Sequence, residues 1–516
     1  MTQDLFSSHS NRGAAVLSFL GITLIFALAY TQSPLYTSNQ NQYFLHGLAR
    51  VGYGSLHLDW LANTLDPTPV FTTLVELTYR LFHLPEIHYL YYAFIMGIYA
   101  WSLIGIVETV YPVRRSNTIF LVFFALLIVA HSAGLRLALS RLLGTNWAYV
   151  LEDGLADQRL LGPVLQPSAF GAFLLLSIYL FLRGHAGWAV LSAALAATVH
   201  PTYLLSAAAL TLSYMLITFM ADRRLPRPAM LGAVALVAVL PILIYTYTSF
   251  AAPSPESSEQ ARHILVDYRI PHHALIDWWF DATAVVKIAL VAVALLLIRR
   301  TQLLIIMLVC SLIAASLSLV QWLTQSDFLA LIFPWRLSTF LVPLATALIL
   351  GFAVTTVFMR FPDWMRRYEK IIRALCMAAI LLALLAGGLR LWLDFARQQA
   401  SEDRPVMAYL AAQGDPTAVY LIPVKMQDFR LAAQAPAYVD FKAIPYRAAD
   451  VLEWRHRIEL AEHFYKQKEC AVLDEIAAQG GVTHVVLPAE NFGMTCPQLT
   501  SLYRDDYYEV SRYESP

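Results

Sequence analysis

The residues best suited to chemistry in this chain are a few acids, arginines and histidines set among long apolar runs. Asp59 stands in His57-Leu58-Asp59-Trp60, within the long polar and aromatic segment Gln32–Pro85. A partly desolvated carboxylate binds its proton more tightly and can act as a base or hold a hydroxyl or a metal. Its plainer reading is a cap on a turn or helix. Asp66, before Pro67, invites the same plain reading, and with His57 it is kept as a contact to whatever Asp59 would act on. Arg336, in Phe333-Pro334-Trp335-Arg336-Leu337-Ser338, and Arg159, in Asp157-Gln158-Arg159, carry planar forks suited to phosphate. Arg336 also reads as an interfacial residue snorkelling beside Trp335. His200, before Pro201, would contact a phosphate or an acceptor, or cap a helix end.

Other clusters are weaker. Glu152-Asp153-Gly154, with Asp157 nearby, reads as a solvated turn. His272-His273, with Asp267 and Asp277, is a poor metal set, because adjacent histidines rarely point at one ion. In the tail, Phe429-Arg430, Tyr438–Lys442 and Glu453–Arg457 read as a folded surface with aromatics inside and charges outside, with Lys442 and Arg455 as alternatives that face a site.

The setting of these residues excludes several classes of function. The 516 residues are 58% hydrophobic and 14% charged, with mean hydropathy +0.55, whereas soluble domains are about a quarter charged. With 36 basic and 36 acidic residues there is no basic field to attract nucleic acid. Four scattered cysteines make no zinc module. No Gly-rich phosphate loop, Ser-His-Asp order or Cys-x-x-Cys pair occurs, so no nucleotide or redox cofactor is expected. A divalent metal is left open.

The elements that must position these residues divide at Leu393. The first 393 residues hold 42 charges and the last 123 hold 30. A multi-pass membrane domain is therefore expected over 1–393, with a long first outer loop at 32–85, followed by a soluble domain at 394–516. Apolar runs long enough to cross about 30 Å of hydrocarbon predict about eleven transmembrane helices, near Ala14–Thr31, Ile87–Val110, Asn117–Leu137, Pro167–Leu182, Gly187–Val199, Thr202–Met220, Ala229–Phe250, Ala282–Ile298, Gln302–Trp322, Leu337–Met359 and Ala374–Leu393. The first is an anchor rather than a cleaved signal.

Fourteen basic residues fall in loops on the side of the N-terminus and eight on the other. The N-terminus is therefore expected in the cytoplasm and the C-terminal domain outside it. Basic flanks at Arg183 and Arg223 require a hairpin at His200-Pro201, where proline interrupts the helix. In the first outer loop, Tyr43–Val51 and Thr72–Phe82 are expected as helices lying along the membrane surface. The tail alternates strands (Ala418–Ile422, Thr483–Leu487, Tyr507–Tyr513) with helices (Asp450–Lys466, Leu473–Ala478) and reads as a small α/β unit. Cys470 and Cys496 both lie in it, on the side where disulfides persist; they are expected to pair, with two buried thiols as the alternative.

The anchor Ala14–Thr31, the long loop carrying His57-Leu58-Asp59-Trp60 and the outside tail 394–516 together resemble the polytopic glycosyltransferases of the GT-C superfamily. Many members pair two acids, whereas here Asp59 is followed by Trp60 and Leu61. The resemblance implies a GT-C-like helical fold in a cell inner membrane, surrounded by membrane lipids. It further implies transfer of a sugar from a polyprenyl-phosphate-linked donor to an acceptor on the extracytoplasmic face. Asp59 would be the base, and Arg336, His200, Arg159, His57 and Asp66 the substrate contacts. The rival readings are a transporter or lipid flippase with those residues lining a pathway, and a non-catalytic membrane assembly protein in which Asp59 caps a helix.

Overall fold

A computed structural model describes residues 9–515. The chain separates into two compact units, one built from residues 1–32, 88–242 and 270–392, the other from 33–87, 243–269 and 393–516. The boundary near Leu393 falls where the composition changes. The segment expected as an outer loop of the membrane domain belongs instead to the same unit as the C-terminal tail.

The first unit is α-helical. Among the described residues, seven helices are long and apolar enough to cross a membrane: Gly13–Tyr30, Ile87–Val110, Pro201–Asp222, Pro226–Ser249, Leu303–Thr324, Asp327–Arg360 and Glu369–Gln399. An eighth span is a pair, Asn117–Ala130 and Ala133–Leu143, bent by 54°. The bend falls at His131-Ser132, where the Ser132 side chain caps the second helix by accepting from the Leu135 N–H. Shorter apolar helices, Pro167–Leu182, Ala186–Val199 and Ala282–Leu297, complete the set. Each expected span overlaps one of these helices, but three of the eleven fall on the shorter apolar ones.

The helices differ in what covers them. In an 18-residue apolar stretch of each, 67% of the residues of Ile87–Val110 and of Asp327–Arg360 are buried within the protein, against 11% for Pro226–Ser249, which exposes Leu236, Val237 and Leu240. An apolar surface on that scale requires a lipid environment, so the chain is a multi-pass membrane protein. His200 is extended between Ala186–Val199 and the helix that follows Pro201, and the two helices pack on each other.

The second unit carries a four-stranded sheet, ordered β1-β2-β4-β3. Its strands are β1 (Tyr420–Leu421), β2 (His484–Pro488), β3 (Leu499–Arg504) and β4 (Tyr508–Tyr513). β1 and β2 are parallel, and β4 pairs antiparallel with both β2 and β3. Val406, Leu410, Tyr420, Phe429, Val486 and Val510 share its core, and Cys470 and Cys496 form a disulfide. Two expectations need correcting here. The helix Leu45–Arg50 does not lie on a surface, since Leu45 through Ala49 are buried inside the unit; Pro69–Phe82 does keep apolar residues outside, with Leu77 and Leu81 exposed. The tail's charges are not all external, since Arg430 and Asp440 are as buried as its aromatics.

Candidate functional site

In the first unit the loop 152–159 is a hub on which several helices converge. Ala156 and Asp157 both adopt left-handed backbone, at φ 57° and 52°. Two such non-glycine residues in a row are a strained turn that the surroundings must hold. They are held from several sides: the Lys287 ammonium donates to the Gly154 carbonyl at 2.8 Å, the Leu155 N–H to Ser338 Oγ at 2.7 Å, and His273 Nδ1 to the Ala156 carbonyl at 2.6 Å. A side chain at Gly154 would meet Ser338 Oγ at 2.5 Å and the Thr339 nitrogen at 2.7 Å, so the close approach requires glycine.

The hub is buried and charged, which corrects the reading of Glu152-Asp153-Gly154 as a solvated turn. Glu152 Oε1 accepts from Arg136 at 3.1 Å, and Asp153 Oδ2 pairs with Arg159 Nε at 3.3 Å. Arg136 also donates to the carbonyls of His131 and Tyr30. The Tyr149 ring takes the Arg159 guanidinium on its face at 4.0 Å and that of Arg136 at 5.2 Å. Burial, the largest effect, pushes the Glu152 carboxyl up to about 7 and the Asp153 carboxyl up to about 6, against the pull of the arginines. Glu152 Oε2 and Asp153 Oδ1 are buried without a hydrogen-bond partner, as is Gln158 Nε2. Arg159 is 23% exposed.

Arg336 and His200 join the same network. Arg336 Nε donates to Gln158 Oε1 at 2.9 Å, and its Nη1 lies 2.8 Å from His200 Nε2 and 2.5 Å from Thr202 Oγ1. Facing a guanidinium, His200 Nε2 can only accept, so the imidazole is neutral. Arg336 therefore does not snorkel freely beside Trp335. Four cations (Arg136, Arg159, Lys287, Arg336) stand against three acids (Glu152, Asp153, Asp157). The hub therefore carries a positive excess, and it fits an anion better than a divalent cation. His273 is occupied by the Ala156 carbonyl, and burial pushes it down to about 3, so it is a neutral strut of the loop.

Asp59 lies in the second unit in a different setting. It is 0% exposed. Its Oδ2 accepts from Arg430 Nε at 2.6 Å and the Ala437 N–H at 2.9 Å, and its Oδ1 from the Ala62 N–H at 3.1 Å. Arg430 bonds Asp440 and the Ala437 carbonyl as well, while Asp440 Oδ1 accepts the N–H groups of Lys442 and Ala443. A base needs an oxygen left over for the proton it takes. Bonded on both oxygens, Asp59 ties its loop to residues 430–440. Asp66 is also occupied: Oδ1 accepts the Thr68 N–H at 2.9 Å and Oδ2 faces Arg50 at 3.2 Å. His57 is exposed and borders a cavity of about 210 Å³ lined also by Ser55, Asp415, Tyr420 and Gln434.

Sequence reasoning thus named Arg159, Arg336 and His200 but passed over Arg136 and Lys287. The missed signal was a lone cation inside an apolar helix, as in Ala282–Leu297, where an unpartnered charge is costly.

Over residues 401–461 the chain matches a family model described as a domain of unknown function (DUF6798). No curated protein matches it. Among solved structures it is similar to ArnT from Cupriavidus metallidurans in the apo state, at 13% identity and TM-score 0.44, covering 97% of this chain and 98% of that one. Bound to undecaprenyl phosphate, ArnT gives 12% identity and TM-score 0.45 over the same shares. The archaeal oligosaccharyltransferase AglB from Archaeoglobus fulgidus, in complex with an inhibitory peptide and a dolichol-phosphate, is similar at 12% identity and TM-score 0.38, covering 94% of this chain and 70% of that one. Each likeness runs most of the length of this chain with a TM-score under 0.5.

Proposed function

We propose that the chain is an integral-membrane glycosyltransferase that moves a sugar from a polyprenyl-phosphate-linked donor to an acceptor on the extracytoplasmic face. The observation that carries this reading is the hub, where buried carboxylates with raised proton affinity and unpartnered oxygens stand beside arginines in positive excess. Glycosyl transfer needs both parts. A base must take the acceptor hydroxyl proton, and cations must hold the departing phosphate. Asp153 Oδ1 is the base in this reading, ionised at neutral pH yet more basic than an ordinary carboxylate. Arg159 and Arg336 present forks to the phosphate, and neutral His200 with Gln158 fixes the angle of Arg336. The Cys470–Cys496 disulfide favours an oxidising compartment for the second unit, and so an extracytoplasmic placement in an inner membrane.

The test is transfer of label from a mixture of polyprenyl-phosphate sugars in membranes carrying wild type, Asp153→Asn, Arg159→Gln or Asp59→Asn. Wild type is expected to transfer, and Asp153→Asn and Arg159→Gln to lose transfer at normal protein levels. Flux of a lipid or solute across proteoliposomes without any transfer would instead establish the transporter reading.

A further inference from the structure

The cavity of about 210 Å³ in the second unit is built from stretches far apart in the chain: the turn that holds Gly54, Ser55 and His57, the end of the helix Arg404–Gln413 with the turn after it, Tyr420 of β1, and residues 433–435. Gly54, Gly414 and Gln434 all line it in left-handed backbone, at φ 56°, 58° and 55°. Glycine adopts that region freely, whereas glutamine does so at a cost. The Gln434 carbonyl is fixed by the Ser55 N–H at 2.9 Å. A side chain at Gly54 would collide with that carbonyl, so the wall closes only around glycine. Part of the lining is apolar, with Leu410, Pro416 and Ala433. The rest has hydrogen-bonding capacity left over. Asp415 Oδ1 accepts from the Thr417 N–H at 2.9 Å and from its hydroxyl at 2.8 Å, while Oδ2 has no partner among the described residues. The Gln434 amide, the Tyr420 hydroxyl and the His57 imidazole likewise make no hydrogen bond among the described residues. The two Thr417 bonds hold the Asp415 carboxyl below its usual range, so it is an acceptor only. Burial pushes the Tyr420 phenol up to about 12, which keeps its hydroxyl a donor.

These groups select a ligand. An anion would face an ionised carboxylate with no lysine or arginine in the lining. A simple ammonium would satisfy Asp415 but leave the amide and phenol donors covered and unmet, which is costly. A group that gives and takes hydrogen bonds at once satisfies both. We propose that this cavity binds an uncharged saccharide ring, with Asp415 Oδ2 accepting from its hydroxyls, Gln434 and Tyr420 donating to them, and Leu410, Pro416 and Ala433 against its C–H face. Size agrees with a single ring, since pockets of roughly 300–1,000 Å³ take drug-sized molecules and this one is smaller. The site lies apart from the hub residues and holds whether or not the chain transfers sugars. The saccharide has two sources, a free sugar or one carried on a lipid.

The test uses the full chain in two settings. In a detergent without a sugar headgroup, ligand-observed NMR and the melting temperature are followed with glucose, galactose, mannose and N-acetylglucosamine, and inorganic phosphate and ethylammonium are added as charged competitors. In nanodiscs, monoglucosyldiacylglycerol is compared with phosphatidylcholine. Wild type is expected to bind a sugar that neither competitor displaces. Asp415→Asn keeps Oδ1 for Thr417 and should bind about tenfold more weakly, the loss of one charge-assisted hydrogen bond. Gln434→Gly removes the amide and relieves the left-handed backbone, so it should bind more weakly yet melt at or above wild type, which separates lost binding from lost folding. A response to a free sugar assigns the soluble source, and a response to the glucolipid alone assigns the lipid. The proposal is overturned if neither source binds. It is equally overturned if phosphate or ethylammonium displaces the sugar, or if Asp415→Asn and Gln434→Gly bind as wild type does.

Discussion

The hub of the first unit and the Asp59–Arg430–Asp440 group of the second are both buried sets of acids and arginines, yet they are finished differently. Around Arg430 each N–H-bearing nitrogen and each carboxylate oxygen has a partner, and both carboxylates are at most 1% exposed. In the hub, one oxygen of Glu152 and one of Asp153 have none, the cations are in excess, and Arg159 is partly exposed. A closed, fully bonded charge network fixes a shape. An open one, held in a strained turn, keeps capacity for something that arrives later.

The comparison can be broken most forcefully at Asp153. Asp153→Asn is expected to reduce transfer about 10²- to 10⁴-fold, the usual worth of a general base, with little change in melting temperature; an equal loss of folded protein would make the hub as structural as its counterpart. Asp59→Asn should do the reverse. Leaving Arg430 short of a buried charge partner is expected to cost about 3–5 kcal/mol of stability, read by chemical unfolding, while transfer per folded molecule stays near wild type. Next comes the disulfide, which spans a sequence separation of 26; replacing both cysteines by serine should cost about 2–4 kcal/mol, lowering the melting temperature in non-reducing buffer only. Gly154→Ala should cost about 1–3 kcal/mol by overpacking against Ser338 and Thr339, and a larger share of activity than of stability would show that the strained turn sets the geometry of Asp153.

The smallest effect concerns pH. Glu152 and Asp153 fold with carboxyls pushed above their ordinary values, to about 7 and about 6. The folded state therefore binds more protons than the unfolded one, and this part of stability falls as pH rises from the ordinary carboxylate range to about 7. Melting in detergent should rise modestly on acidification through that window, and Glu152→Gln with Asp153→Asn should flatten the trend. Transfer should move the other way, falling below about pH 6 as Asp153 takes up its proton.

Much of the architecture was legible in the residues. Apolar length located the membrane helices, because hydrocarbon thickness sets a minimum run; a short apolar run located β2 and alternation located β4. β3 was passed over. Its residues Leu499–Arg504 are largely exposed at the sheet edge, so they carry no buried-face pattern. The pairing of Cys470 with Cys496 was expected from their shared segment and is formed.

The sequence by itself therefore determined which stretches enter the membrane, where the composition changes near Leu393, and that Arg159, His200 and Arg336 merited attention. These follow from local quantities: hydropathy, length, and the cost of a charge or a proline in its own element. Only the tertiary structure decided that residues 33–87 belong with 393–516 and that Asp59 is closed off by an arginine 371 positions away. It alone showed that Glu152 and Asp153 are buried in a loop reached by Arg136 and Lys287 from other helices. Burial and charge pairing are sums over neighbours distant in the chain, and a carboxylate's role depends on that sum rather than on the residues beside it.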